Sequence, residues 1–114
     1  MDELTTTGIS TVYDVKDGQV RETHLDPAAH GLDRAKPNDL AGGDAEESAE
    51  IARGILSGES GPRRDVVVLN AGAALEVAGF AGSLDEGMAT AARSIDDGHA
   101  ATTLDQWVEA SRSG

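Results

Sequence analysis

A helix with both ends written into the chain constrains this sequence more than any other feature. In the run Gly42-Gly43-Asp44-Ala45-Glu46-Glu47-Ser48-Ala49, Asp44 stands where a carboxylate can accept a backbone N–H that the first helical turn leaves unpaired. Glu47, three residues on, can bond back to the cap, and its charge suits the positive end of the helix. The two preceding glycines let the chain turn sharply into it. Ala45, Ala49, Ala52, Ile55 and Leu56 then recur at helical spacing on one face, and Gly58 follows as a stop. By itself such a helix packs on a core and carries no chemistry.

The same punctuation continues toward the C-terminus. Pro62 suits the first position of a second helix running to about Phe80. Val66-Val67-Val68-Leu69 alone could be a buried strand, but apolar residues continue unbroken through Ala71, Ala73, Ala74, Leu75, Val77 and Ala78. The reading is therefore a helix buried all round, with Gly72 and Gly79 weakening it locally while permitting close helix contacts. Ser83 with Glu86 repeats the capping pattern and begins a third helix, with Leu84, Met88, Ala91, Ala92 and Ile95 as its apolar stripe and Gly98 as its end. A last helix over about 100–112 carries Ala100, Ala101, Leu104, Trp107 and Val108 on one face.

Before residue 26 the pattern is different. Ile9, Val12, Tyr13, Val15, Val20, Thr23 and Leu25 favour strands, and Asp17-Gly18 is a strong two-residue turn signal. That turn sets Val15 opposite Val20 and Asp14 opposite Arg21, an apolar pair and an opposite-charge pair. Residues 26–43, with Asp26-Pro27, His30-Gly31 and Lys36-Pro37-Asn38-Asp39, read as an irregular connection. The chain is thus read as a single partial domain over 1–114: an opening segment and hairpin (1–25), a connection (26–43) and a helical region (44–112).

Length limits the chain to one modest core. Tyr13, Phe80 and Trp107 are the only aromatic residues, so that core rests on Ala, Val, Leu and Ile. Without cysteine, disulfides and thiolate metal sites are excluded. No apolar run is long enough to span a membrane, and no secretory signal opens the chain, so a cytoplasmic protein is expected. The formal net charge of −12 repels nucleic-acid phosphates and makes nucleic acid an unsuitable partner. Either the protein seeks basic partners, or it is adapted to a salt-rich cytoplasm where screening suppresses self-repulsion. The acids are interspersed rather than gathered in one tail, which favours salt adaptation.

Few residues suggest chemistry. Asp2-Glu3 could ligate a hard cation such as Mg²⁺, though an adjacent acidic pair in so acidic a chain also suits a solvated terminus. His24, His30 and His99 match no metal spacing and are read as surface or packing residues. No nucleophile motif, P-loop, dinucleotide fingerprint or HExxH is present, so no catalytic residue is assigned. Pattern alone supports an acidic α/β or α+β segment.

Longer motifs in order give more. Gly43-Asp44-Ala45-Glu46-Glu47-Ser48-Ala49, Gly61-Pro62-Arg63-Arg64-Asp65, Val68-Leu69-Asn70-Ala71-Gly72-Ala73-Ala74-Leu75, Ser83-Leu84-Asp85-Glu86-Gly87 and the closing Leu104-Asp105 helix together resemble the C-terminal third of anthranilate phosphoribosyltransferases. The likeness covers the whole chain, including Asp2-Glu3, the hairpin and Leu25-Asp26-Pro27. It implies the C-terminal part of a nucleoside phosphorylase-like α/β domain, here a β-hairpin followed by about four helices. It also implies transfer of a phosphoribosyl group from phosphoribosyl pyrophosphate (PRPP) to anthranilate, in tryptophan biosynthesis, by a homodimer. In that family the adjacent pair corresponding to Asp2 and Glu3 ligates the Mg²⁺ that accompanies PRPP.

The family's Gly-Thr-Gly-Gly-Asp phosphate loop, its Lys-His-Gly-Asn segment, the arginine that helps hold anthranilate and the helical dimer domain have no counterpart in these residues. Substrate-binding residues therefore remain unassigned here. Met1 stands where the family often has Leu or Met before Asp-Glu, and the expectation is an internal residue taken as a start, hence a fragment inactive by itself and of low autonomous stability. Two alternatives stay open: a non-catalytic acidic interaction module, and a related phosphoribosyltransferase or nucleoside phosphorylase with another substrate.

Overall fold

The computed structural model describes residues 3–114. Strands β1 (Ser10–Lys16) and β2 (Gln19–Leu25) form an antiparallel hairpin with Val15 opposite Val20 and Asp14 opposite Arg21, the register expected from the turn. Asp17 (φ 53°) and Gly18 (φ 74°) both take the left-handed conformation that a type I′ turn requires, and Asn, Asp and Gly tolerate it best. The connection carries two 3₁₀ turns, Pro27–His30 and Pro37–Leu40.

Four helices follow: α1 (Ala45–Leu56), α2 (Pro62–Val77), α3 (Leu84–Asp96) and α4 (His99–Ser113). The α1 cap is reciprocal: the Glu47 N–H donates to Asp44 Oδ1 at 2.9 Å, and the Asp44 N–H donates to Glu47 Oε2 at 3.0 Å. Only the C-terminal part of α1 meets the core, through the half-buried Ile55 and Leu56. Ala45, Ala49 and Ala52, expected on a packed face, are exposed, because among the described residues α1 meets the other helices only sparsely. With so little packing, the cap carries much of this helix. Asp44→Ala should lower the stability of the chain by about 1 kcal/mol. Unfolding in urea followed by circular dichroism measures it, and an unchanged midpoint would contradict the account.

Helix α2 differs from expectation in two ways. It ends at Val77 rather than near Phe80, because Gly79 (φ 81°) turns left-handed. The Phe80 N–H then donates to the Leu75 carbonyl (2.9 Å) and the Gly79 N–H to that of Glu76 (3.0 Å), the paired bonds of a Schellman cap. Nor is α2 buried all round: Val68, Leu69 and Gly72 are buried, whereas Val77 is 88% exposed and Phe80, just past the helix, is 79% exposed. Its other sides have no partner layer among these residues. Trp107 on α4, expected on the packed face, is likewise 72% exposed.

The core sits between α2 and α3, where Val68 and the fully buried Leu69 meet Leu84, Met88, Ala91 and Ile95. The α3 stripe is the one expected from its spacing. Two glycines bring these helices together: a Cβ on Gly72 would stand 2.6 Å from the Met88 backbone nitrogen, and one on Gly87 would collide with the Gly72 carbonyl oxygen. Arg64, at the start of α2, closes the far end by donating to both carboxylate oxygens of Asp96 at 2.9 and 3.0 Å. Such a forked pair fixes the helices in register as well as in proximity.

Candidate functional site

The segment that follows Asp2-Glu3 is held against α2 by one side chain. The Leu4 N–H donates to Asn70 Oδ1 at 3.0 Å, and Asn70 Nδ2 donates back to the Leu4 carbonyl at 2.9 Å. Nδ2 also donates to the Val66 carbonyl at 2.9 Å, one turn earlier in the same helix, which fixes the amide's orientation. Beyond Leu4 the strap is secured again. The Thr7 N–H donates to Thr5 Oγ1 at 3.0 Å, and the Ala35 N–H donates to the Thr6 carbonyl at 3.0 Å.

Thr6 is fully buried, and its Oγ1 has no hydrogen-bond partner among the described residues. A buried hydroxyl left unpaired costs roughly 1–3 kcal/mol. Thr6→Val, of nearly the same shape, should therefore stabilise the chain by about 1 kcal/mol. A lowered melting temperature would show that the hydroxyl is satisfied after all.

Glu3 is exposed and takes part in none of the ion pairs among the described residues. Asp2, the other half of the expected metal pair, lies outside the described residues. Glu3, Leu4 and Asn70 share an open cleft with Ser10 and Tyr13, between the strap, β1 and α2. Its described lining holds a carboxylate, hydroxyls and an amide but no basic side chain. A phosphate-bearing molecule would find no countercharge there unless a cation bridged it to carboxylate. Among the described residues no three metal-ligating side chains gather. The Glu3 carboxylate beside hydroxyls is a hard oxygen set of the kind Mg²⁺ takes, with one or two carboxylates and the rest of its shell completed by water and phosphate. The donor chemistry thus suits the expected ion.

The histidines do not converge. His24 lies on β2, His99 begins α4, and His30 Nδ1 sits 2.8 Å from Asp85 Oδ1, a contact that ties the connection to the start of α3. Among the described residues, Asp65 is the carboxyl displaced upward from its ordinary value: partial burial raises it, the nearby Asp33 charge adds to this, and Arg64 opposes it.

The glycosyl transferase family's a/b domain matches residues 1–101. The chain belongs to that family. Among curated members, anthranilate phosphoribosyltransferase 2 of Streptomyces coelicolor is 51% identical over 112 residues, covering 97% of this chain and 33% of that protein. The anthranilate phosphoribosyltransferase of Methanocorpusculum labreanum is 48% identical over 94% of this chain and 32% of its own length. The crystal structure of the Thermus thermophilus enzyme superposes with a TM-score of 0.86 at 40% identity, over 96% of this chain and 32% of that one. A Saccharomyces cerevisiae enzyme in complex with PRPP and Mg shares the fold, at a TM-score of 0.86 and 22% identity. The chain spans about a third of the length of these relatives and corresponds to their C-terminal third. The hairpin-plus-helices architecture expected from the resemblance is the one observed.

Sequence pattern alone does not single out Asn70. A signal is nonetheless present: one amide in the apolar run from Val66 to Leu75 must find partners if it is to be buried.

Proposed function

We propose that this chain forms the C-terminal part of an anthranilate phosphoribosyltransferase, which transfers phosphoribosyl from PRPP to anthranilate in tryptophan biosynthesis. The observation that carries the reading is 51% identity to such an enzyme across 97% of the chain. Asp2 and Glu3 hold Mg²⁺ in this reading. When bound, the ion balances charge on the departing pyrophosphate as the glycosidic bond breaks. The chain's own part is to present Glu3 from a strap fixed to α2 by Asn70, beside a cleft whose described lining carries no basic side chain.

No catalytic residue is assigned within these 114 residues, and the phosphate loop, the anthranilate pocket and the homodimer contact belong to the remainder of the family's architecture. The same reading places the protein in the cytoplasm, without nucleic-acid or membrane partners. No described helix is long and apolar enough to cross a membrane, and the net charge of −12 opposes phosphate polymers. The interspersed acids support adaptation to salt.

Genetic complementation tests the reading. Joined behind the N-terminal two-thirds of the Thermus thermophilus relative, the chain should restore growth without tryptophan to a bacterium lacking its own anthranilate phosphoribosyltransferase. A folded, expressed fusion that fails to do so would overturn the reading.

A further inference from the structure

We propose that Asn70 is the positioning residue of Glu3: it sets the direction of that carboxylate by gripping both backbone polar groups of Leu4. The inference rests on the reading that Asp2 and Glu3 hold Mg²⁺. Both protons of the Asn70 amide and its oxygen are engaged, with Oδ1 accepting from Leu4 N–H and Nδ2 donating to the carbonyls of Leu4 and Val66. The Val66 bond leaves the amide one orientation, and in that orientation its other two bonds define where the Leu4 peptide lies.

Glu3 is one residue away and exposed to the cleft that Asn70 also lines. A slip of one residue in an extended segment turns successive side chains to the opposite face. Mg²⁺ demands near-ideal octahedral geometry at about 2.0–2.1 Å, so small errors in that direction matter. On the far side, the buried Thr6 and its bond from Ala35 N–H stop the strap from sliding. The neutrality of the amide also matters: a lysine or arginine at position 70 would neutralise Glu3 in place of the metal.

The test uses the 114-residue chain, isotope-labelled, in concentrated KCl, with Mn²⁺ as the paramagnetic probe. In the unaltered chain Mn²⁺ should broaden the amides of residues 3–5 first, and the Leu4 amide should be protected from hydrogen exchange. Asn70→Leu should leave the Leu69, Gly72 and Met88 signals in place, abolish the Leu4 protection and raise the Mn²⁺ concentration required roughly tenfold, the low end for a lost supporting contact at a metal. Unchanged Mn²⁺ affinity in this variant, with binding intact in the parent, overturns the role of Asn70 alone. Absence of Mn²⁺ broadening near residues 3–5 in the parent overturns the metal assignment and this role together.

Should Asn70→Leu fail to fold, the parent still decides the matter. Saturating Mg²⁺ must slow exchange at the Leu4 amide and at the Asn70 side-chain amide, because coupling between strap and metal is reciprocal. No slowing overturns the proposal.

Discussion

Gly87→Ala should unfold most of this chain, with a loss of about 3 kcal/mol, the upper part of the range for overpacking. The residue lies inside α3 with an ordinary helical backbone, so intrinsic preference alone would favour alanine by about 1 kcal/mol. Packing decides the sign. The added Cβ would meet the Gly72 carbonyl oxygen, which belongs to the backbone of α2 and has no rotamer to escape into. The helices would have to separate, and their shared face contains most of the buried apolar side chains.

Gly54→Ala in α1 is the matched control. There the nearest atoms to the new Cβ belong to the carboxylate end of Glu59, at 2.6 Å, and that exposed side chain can swing away. This variant should gain up to about 1 kcal/mol from helix propensity. Urea unfolding of both variants separates the two cases, and equal effects would mean that the α2–α3 contact is looser than described.

The second large effect concerns chemistry. In the chain joined to the N-terminal two-thirds of the Thermus thermophilus relative, Glu3→Gln should lower kcat/KM on the order of 100-fold. Metal stabilisation of developing charge is worth several kcal/mol, and each 1.4 kcal/mol is about tenfold in rate. The substitution keeps shape and polarity at an exposed position, so unfolding should not change. Added Mg²⁺ should recover part of the loss if the weakened step is metal binding. Near-parental kinetics at low Mg²⁺ would remove Glu3 from the metal site.

Features encoded within a few residues are legible in the sequence itself. Asp17-Gly18 dictates its own turn and register, Asp44 and Glu47 satisfy one another, and Ser83 accepts from the Glu86 N–H as its spacing suggests. The stripe of α3 is equally plain, since helical spacing selects one face and a single partner helix covers it. Legibility fails where the answer depends on what lies opposite. The apolar run of α2 suggests burial on all sides, but burial requires neighbours on all sides, and among the described residues α3 is the one helix packed closely along it. Gly79 reads as an interior weakness because the residues around it are apolar, yet its freedom at positive φ is what ends the helix. The contact between Asn70 and Leu4 crosses 66 positions, and no local pattern announces it. Asp2-Glu3 gains meaning only from the family resemblance, since an acidic pair alone is also what a solvated terminus looks like.

Anthranilate fluorescence with PRPP and Mg²⁺ present tests the central claim most directly. The 114-residue chain alone should consume no anthranilate, while the joined protein should consume it and stop when the metal is chelated. Turnover by the chain alone, or a folded joined protein with no metal-dependent turnover, would contradict the account.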